Sequence, residues 1–206
     1  MKSAEVRVIG LTGGIATGKS SVGRFFQKKG ALLIDADQLS REAVQPGSPA
    51  LEKVSAAFGS SVLAPDGTLD RKHLRKLVFS DSAKRRQLEA ILHPDIKRRA
   101  EEQIAHAAAE GHRIVVYMAP LLLEAGAADR VDEVWVVTVR PEIQIERLIS
   151  RDAISRDEAL RIVASQMPLA DKERLGRIVI DNSGTPEETE HILNELWAKE
   201  IEAKNE

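Results

Sequence analysis

Gly13-Gly14-Ile15-Ala16-Thr17-Gly18-Lys19-Ser20 matches G-x-x-x-x-G-K-[ST] in full, and no other feature of the 206 residues constrains the fold as much. Before it, Val6 to Leu11 is an apolar run of strand length. After it, Ser20 to Lys29 places Val22, Phe25 and Phe26 at helical spacing, and Gly30 supplies a stop. Strand, glycine-rich turn and helix in that order make a cradle for phosphate. Backbone N–H groups from Ala16 through Thr17, Gly18, Lys19 and Ser20 to Ser21 can turn inward around phosphate oxygens, and the helix N-terminus adds its positive dipole. The glycines permit the close approach. In this reading Lys19 reaches the β- and γ-phosphates and the Ser20 hydroxyl ligates Mg²⁺. The plainer alternative is a glycine-rich turn that only ends a strand.

Further along, strand-like runs alternate with amphipathic stretches. Ala31 to Ile34, Arg113 to Met118, Val131 to Val139 and Arg177 to Ile180 are the remaining strand candidates. Strands separated by helices need crossover connections, which imply a mostly parallel sheet covered on both faces. A last helix opens at Thr185-Pro186-Glu187-Glu188, where an N-cap, a proline at the first helical position and a capping-box glutamate agree. Two excursions are longer than a crossover requires. Gln38 to Glu110 is helical, with breaks expected at Pro46-Gly47-Ser48-Pro49, Pro65-Asp66-Gly67 and His93-Pro94. Pro141 to Gly176 carries Arg147, Arg151, Arg156, Arg161 and Arg174.

Composition removes whole classes of function. Lys plus Arg number 30 against 32 Asp plus Glu, so a broad basic surface for nucleic acid is not expected. No cysteine is present, which excludes thiol nucleophiles and disulfides, and a structural metal at His106 or His112 is not expected. No apolar run approaches a membrane span. Met1-Lys2-Ser3-Ala4-Glu5 leads into a strand without a cleavage site, so the expectation is a soluble, cytoplasmic protein. The runs Lys84-Arg85-Arg86 and Lys97-Arg98-Arg99 read as solvated helix faces, and Trp135 as core. No oligomeric state is specified.

The phosphate loop indicates a nucleoside triphosphate. A guanine-nucleotide switch should carry D-x-x-G after its third strand and N-K-x-D later; here that strand ends Tyr117-Met118-Ala119-Pro120, and N-K-x-D is missing. Asp35-Ala36-Asp37 follows the second strand, whose C-terminal end shares the phosphate-loop end of a parallel sheet. A kinase needs a carboxylate there to orient and deprotonate an acceptor hydroxyl. The alternative for either aspartate is capping of the following helix.

At this point the residues resemble the dephospho-CoA kinase family. The resemblance lies in Leu11 to Ile15 with Lys19-Ser20, Ile34-Asp35-Ala36-Asp37 with Arg41, Gln45 to Leu51, Asp66 to Arg71, Val78-Phe79 and Leu92-His93-Pro94. It continues in Pro120-Leu121-Leu122-Leu123-Glu124, Gln144 to Leu148, Arg151-Asp152, Gln166 and Val179 to Gly184. One departure is that Met118 stands where the family often has Asp, which shifts the metal-binding weight to Asp35 and Asp37.

The resemblance implies ATP-dependent phosphorylation of the ribose 3′-hydroxyl of dephospho-CoA, the final step of coenzyme A synthesis, with Mg²⁺. It implies Asp37 as catalytic base and Lys19 and Ser20 as phosphate and Mg²⁺ contacts; Asp35, which ends the strand nearer the metal and phosphates, reads as a second metal ligand by its place. Arg147 and Arg151 resemble lid arginines closing on the transferring phosphoryl group, against a solvated lid surface as the alternative. Asn182-Ser183-Gly184 resembles the segment that holds adenine, though it also suits an ordinary turn. His93-Pro94, with Asp37, Arg41 and Leu121, resembles the acceptor pocket.

The expected fold is α/β, a P-loop NTPase like the nucleoside-monophosphate kinases, with a five-stranded parallel sheet. It reads as one domain over 1–206: core about 6–37, 111–140 and 177–204, an acceptor-binding helical region about 38–110 and a lid about 141–176. The small-molecule partner is dephospho-CoA, with neither nucleic acid nor membrane. Two other readings stay open here: a kinase of another small hydroxyl acceptor, such as a nucleoside or sugar acid, and a nucleotide-gated binding module.

Overall fold

A computed structural model describes residues 6–79 and 81–203. The Met1–Glu5 segment, read above as carrying no cleavage site, lies outside the described residues. The chain divides into two compact units, one formed by Met1–Ile34 with Ala107–Glu206 and the other by Asp35–His106.

The first unit holds the sheet. Its strands are β1 (Arg7–Gly13), β2 (Leu32–Asp35), β3 (Ile114–Met118), β4 (Glu133–Thr138) and β5 (Ile178–Asp181), in the order β2-β3-β1-β4-β5. β1 pairs in parallel with β3 and β4, and β4 with β5. The central strand β1 is buried nearly end to end, as a strand covered on both faces must be. It extends two residues past the apolar run, because Thr12 and Gly13 continue the ladder opposite Val136 and Val137.

Helices α1 (Lys19–Lys28) and α9 (Pro186–Trp197) bury their apolar stripes on this sheet. Phe26 meets Trp135 edge-on at 5.4 Å between ring centres and stacks on Trp197 at 5.9 Å. Trp135 is fully buried, as expected of a valine-rich strand. α9 begins with the capping box expected of Thr185 and Glu188. At the N-terminal ends of β1, β4 and β5, Arg7 and Arg177 share Glu133, and Arg177 also reaches Glu200 at 2.5 Å. Helices α6 (Pro141–Asp152), α7 (Arg156–Ala164) and α8 (Leu169–Leu175) complete the unit.

The second unit is helical: α2 (Ala36–Ala43), α3 (Pro49–Phe58), α4 (Arg71–Phe79) and most of α5 (Ser82–Ala109). The breaks expected at Pro46–Pro49 and Pro65–Gly67 are present; Ser48 caps α3 and Pro49 opens it. The break expected at His93-Pro94 is not. Pro94 lies inside α5, which runs through it. A proline there removes one intrahelical bond, to the Ala90 carbonyl. Packing offsets that loss: Leu88, Ile91 and Leu92 pack against Val54, Val62 and Leu74 on one side of the proline. On the other side, Asp95 binds Arg98 at 2.7 Å and Arg99 at 2.6 Å. The run 97–99 is therefore partly paired within its own helix.

Candidate active site

The phosphate loop leaves β1 at Gly13 and enters α1 at Lys19. Its shape is set by side chains from far away in the sequence. Ile15 N–H donates to Gln166 Oε1, and Ile15 carbonyl accepts from Gln144 Nε2, both at 2.8 Å. The Thr17 hydroxyl donates to the Gly14 carbonyl at 3.0 Å, and the Thr17 carbonyl accepts from Asn182 Nδ2 at 2.7 Å. Thr189 in turn donates to Asn182 Oδ1 at 2.8 Å. Gly13 and Gly18 are required sterically: a Cβ on Gly13 would collide with the Val137 carbonyl oxygen, and Gly18 has φ 85 and touches Asn182 where a Cβ would stand. A Cβ on Gly14 would press on the end of Gln144, 2.7 Å from its Nε2. Ala16 holds φ 59, a left-handed conformation that costs a non-glycine residue about 1–3 kcal/mol. Lys19 and Ser20 open α1, whose first turn carries no acid to offset the positive end of its dipole.

A cavity of ≈ 800 Å³ opens beside the loop, within the size range of small-molecule sites. It brings together Gly18, Ser21, Arg147, Asn182 and Gly184, with Phe25 on its wall. Arg147 reaches across from α6 to donate to the Asn182 carbonyl at 2.9 Å. Asp181 Oδ1 accepts from the N–H (2.9 Å) and the hydroxyl (2.5 Å) of Ser183. The Asn-Ser-Gly segment is thus a side-chain-stabilised turn at the edge of this cavity.

Arg151, one helical turn beyond Arg147, does not join it. Its guanidinium makes two bonds to Asp152, at 2.7 and 2.8 Å. Hydrogen bonding from Arg151 holds the Asp152 carboxyl below the usual carboxylate range, and the same bond raises the guanidinium. Leu121, just past β3, is 48% exposed. Beside it, the Pro120 carbonyl accepts from Thr12 Oγ1 at 3.2 Å and from Lys172 Nζ at 2.8 Å. Lys172 is wholly buried and pairs with Glu124 at 2.7 Å.

The other expected residues belong to the second unit. Asp35 ends β2 and caps α2, its Oδ1 accepting from the Asp37 N–H at 2.9 Å. For Asp35 the capping role is therefore realised. Asp37 sits exposed in the first turn of α2, and Arg41 one turn later on the same helix face. His93 is half-buried and Pro94 exposed in mid α5.

Among the described residues no group of three or more His, Cys, Asp or Glu side chains is disposed to hold a metal ion. Mg²⁺ takes one or two protein oxygens and completes its shell with phosphates and water. Ser20, exposed in the first turn of α1, is such an oxygen.

Residue-type reasoning passed over Gln144 and Gln166 as functional groups, and the buried Lys172–Glu124 pair. Gln144 carries a readable signal: a polar residue four before Leu148 on the buried face of an amphipathic helix. Gln166 stands out only as part of the family resemblance and Lys172 not at all, since their partners lie 151 and 48 positions away.

Comparison with known proteins assigns the chain. The profile of the family described as dephospho-CoA kinase matches residues 7–188. The dephospho-CoA kinase of Geobacter sulfurreducens is 54% identical over 194 residues, covering 94% of this chain and 98% of that protein. A solved structure from Thermus thermophilus superposes with a TM-score of 0.83 at 30% identity, covering 96% of this chain and 99% of that one. The dephospho-CoA kinase of Campylobacter jejuni superposes with a TM-score of 0.72 at 26% identity, covering 97% and 98%. A profile match over most of the chain, on a five-stranded parallel α/β sheet with a complete phosphate loop, means that this chain belongs to the dephospho-CoA kinase family.

Proposed function

We propose that the protein transfers the γ-phosphoryl group of ATP to the ribose 3′-hydroxyl of dephospho-CoA, giving coenzyme A and ADP, the last step of coenzyme A synthesis, in the cytoplasm. The observation that carries this is the family match over residues 7–188, which includes the whole phosphate loop. No helix among the described residues is long and apolar enough to cross a membrane.

In the proposed reaction the 3′-oxygen forms a bond to the γ-phosphorus while the bond from that phosphorus to the ADP oxygen breaks. The hydroxyl proton passes to the Asp37 carboxylate. Lys19 and the amides from Ala16 to Ser21 hold the β- and γ-phosphates, where oriented N–H groups and a cation stabilise charge without reorganising. Ser20 and Asp35 would hold Mg²⁺, which when bound neutralises phosphate charge. Arg147 and Arg151 meet the charge on the transferring oxygens, and Asn182, Ser183 and Gly184 hold the adenine. Arg41, His93, Pro94 and Leu121 contact the acceptor. The lining of the cavity by Gly18, Ser21, Arg147, Asn182 and Gly184 supports the nucleotide half of this reading.

The test is ADP release by the purified protein with Mg²⁺-ATP, with and without dephospho-CoA, a nucleoside or a sugar acid. Release that requires dephospho-CoA is expected. Release driven by another acceptor would make the protein a kinase of that acceptor, and ATP binding without release would make it a nucleotide-gated binding module.

A further inference from the structure

Ala16 is a beta-carbon residue in the left-handed region, at the apex of the loop that must wrap phosphate. A strained residue of this kind persists only where its neighbours over-determine it. On its C-terminal side, Thr17 is held through Asn182 and the Gly14 carbonyl. On its N-terminal side both peptide groups of Ile15 are taken, the N–H by Gln166 Oε1 and the carbonyl by Gln144 Nε2. The two amides serve opposite ends, one accepting and one donating. The Ile15 side chain is also fixed, against Ile145, Leu148 and Ala159. Gln144 is 3% exposed, and its amide nitrogen lies where a Cβ on Gly14 would crowd it.

We propose that Gln144 and Gln166 are positioning residues for phosphoryl transfer: together they clasp Ile15 and so hold Ala16 in the strained conformation that presents the loop amides to the nucleotide phosphates. The proposal rests on the assignment of the loop as the ATP site. Because Gln144 lies on α6, three residues before Arg147, and Gln166 between α7 and α8, the clasp also makes the 141–176 segment part of the loop's support.

The experiment is a double-mutant cycle read by calorimetric titration with Mg²⁺-ATP, with no acceptor present. Gln166→Leu and Gln144→Leu should each raise the ATP Kd about tenfold, because a released loop must be ordered again when the phosphates bind. The KM for dephospho-CoA should stay near its parental value, and the melting temperature should fall by only a few degrees, the cost of one lost hydrogen bond in a chain of this size. Glycine adopts the left-handed region without strain, so an Ala16→Gly background needs the clasp less. In that background Gln166→Leu should cost at least about threefold less affinity than it does alone. An unchanged Kd in the single variants, or equal losses in both backgrounds, would overturn the clasp. If Gln144→Leu does not fold, the half-buried Gln166 decides the matter by itself. A parent protein that fails to bind Mg²⁺-ATP would instead overturn the assignment of the loop, which separates the two failures.

Discussion

In the unit that carries the phosphate loop, Ile9, Leu11, Val116, Trp135 and Val137 of the sheet pack against Val22 and Phe26 of α1 and Leu193 and Trp197 of α9 in one continuous core. Among the described residues of the unit formed by Asp35–His106, buried apolar side chains include two small groups, Val44 with Ala50 and Leu51, and Val54 with Val62 and Leu74, besides Leu39, Ala43 and Ala100. Polar wiring differs in the same direction. Around the loop, Gln144, Gln166 and Asn182 span more than 120 positions to bind single peptide groups. In the helical unit the ion pairs of α5 join residues three or four apart, such as Asp95 with Arg98 and Arg99. The difference teaches how the two tasks are built. Charge stabilisation at a phosphate needs dipoles fixed before the reaction, and long-range bonds from α6, from the segment between α7 and α8 and from the residue after β5 supply that. A helical unit with small apolar groups and local ion pairs in α5 presents Asp37 and Arg41 one turn apart on α2.

The largest test of that contrast is Lys19→Ala. Turnover should fall by at least about 10³-fold, the range supplied by cationic clamps on a transferring phosphoryl group. The melting temperature should stay within a few degrees, because Lys19 is not part of the core. A folded variant with parental turnover would remove the loop from the chemistry.

Asp37→Asn keeps the shape of the side chain and cannot take a proton. Turnover should fall by about 10²–10⁴-fold with ATP affinity near the parental value. An equal loss of ATP affinity would erase the division of labour between the two units. Retention of more than about a tenth of parental turnover would leave Asp37 as a residue of the first helical turn and nothing more.

Core truncations sharpen the comparison of packing. Phe26→Ala removes a ring that contacts both Trp135 and Trp197 and should cost about 3–5 kcal/mol in denaturant unfolding. Leu74→Ala, in the smaller core, should sit near the lower end of the range for leucine, about 2–3 kcal/mol. The reverse order would mean that the helical unit is the better packed of the two.

The arrangement of α1 around the loop was legible from the residues, since an eight-residue motif, a strand and a helix are all local signals. Strand ends were less so. β1 runs on to Gly13 because its partner β4 offers Val136 and Val137, which is a property of the ladder and not of the β1 segment. Pro94 reads as a helix break, and tertiary packing of Leu88, Ile91 and Leu92 overrides it. Within the site, Gly18, Arg147, Asn182 and Gly184 could be named in advance and do line one cavity. The glutamine clasp could not, because hydrogen-bond partners 129 and 151 positions apart leave no periodicity. A buried Lys172 is equally hidden: lysine reads as exposed unless its partner, here Glu124, is known.

The smallest expected effect concerns the exposed pair Arg151–Asp152. Asp152→Asn should change turnover by less than about twofold, since an exposed ion pair is screened by solvent and contributes little. The carboxyl is held below its ordinary value, so the pair persists at neutral pH and is lost only as pH falls through that lowered value. Arg151→Ala should lower turnover more than ATP affinity, as expected of a group that meets charge in the transition state. Parental kinetics in Arg151→Ala would return Arg151 to a solvated surface role.

The central claim is the identity of the transfer itself. Mg²⁺-ATP labelled in its γ-phosphoryl group is incubated with the protein and dephospho-CoA, and the labelled product is isolated and its phosphate position determined. The account predicts one labelled phosphoryl group on the ribose 3′-oxygen, in a product identical to coenzyme A. Label released as inorganic phosphate, or carried on any other position of the acceptor, would contradict it.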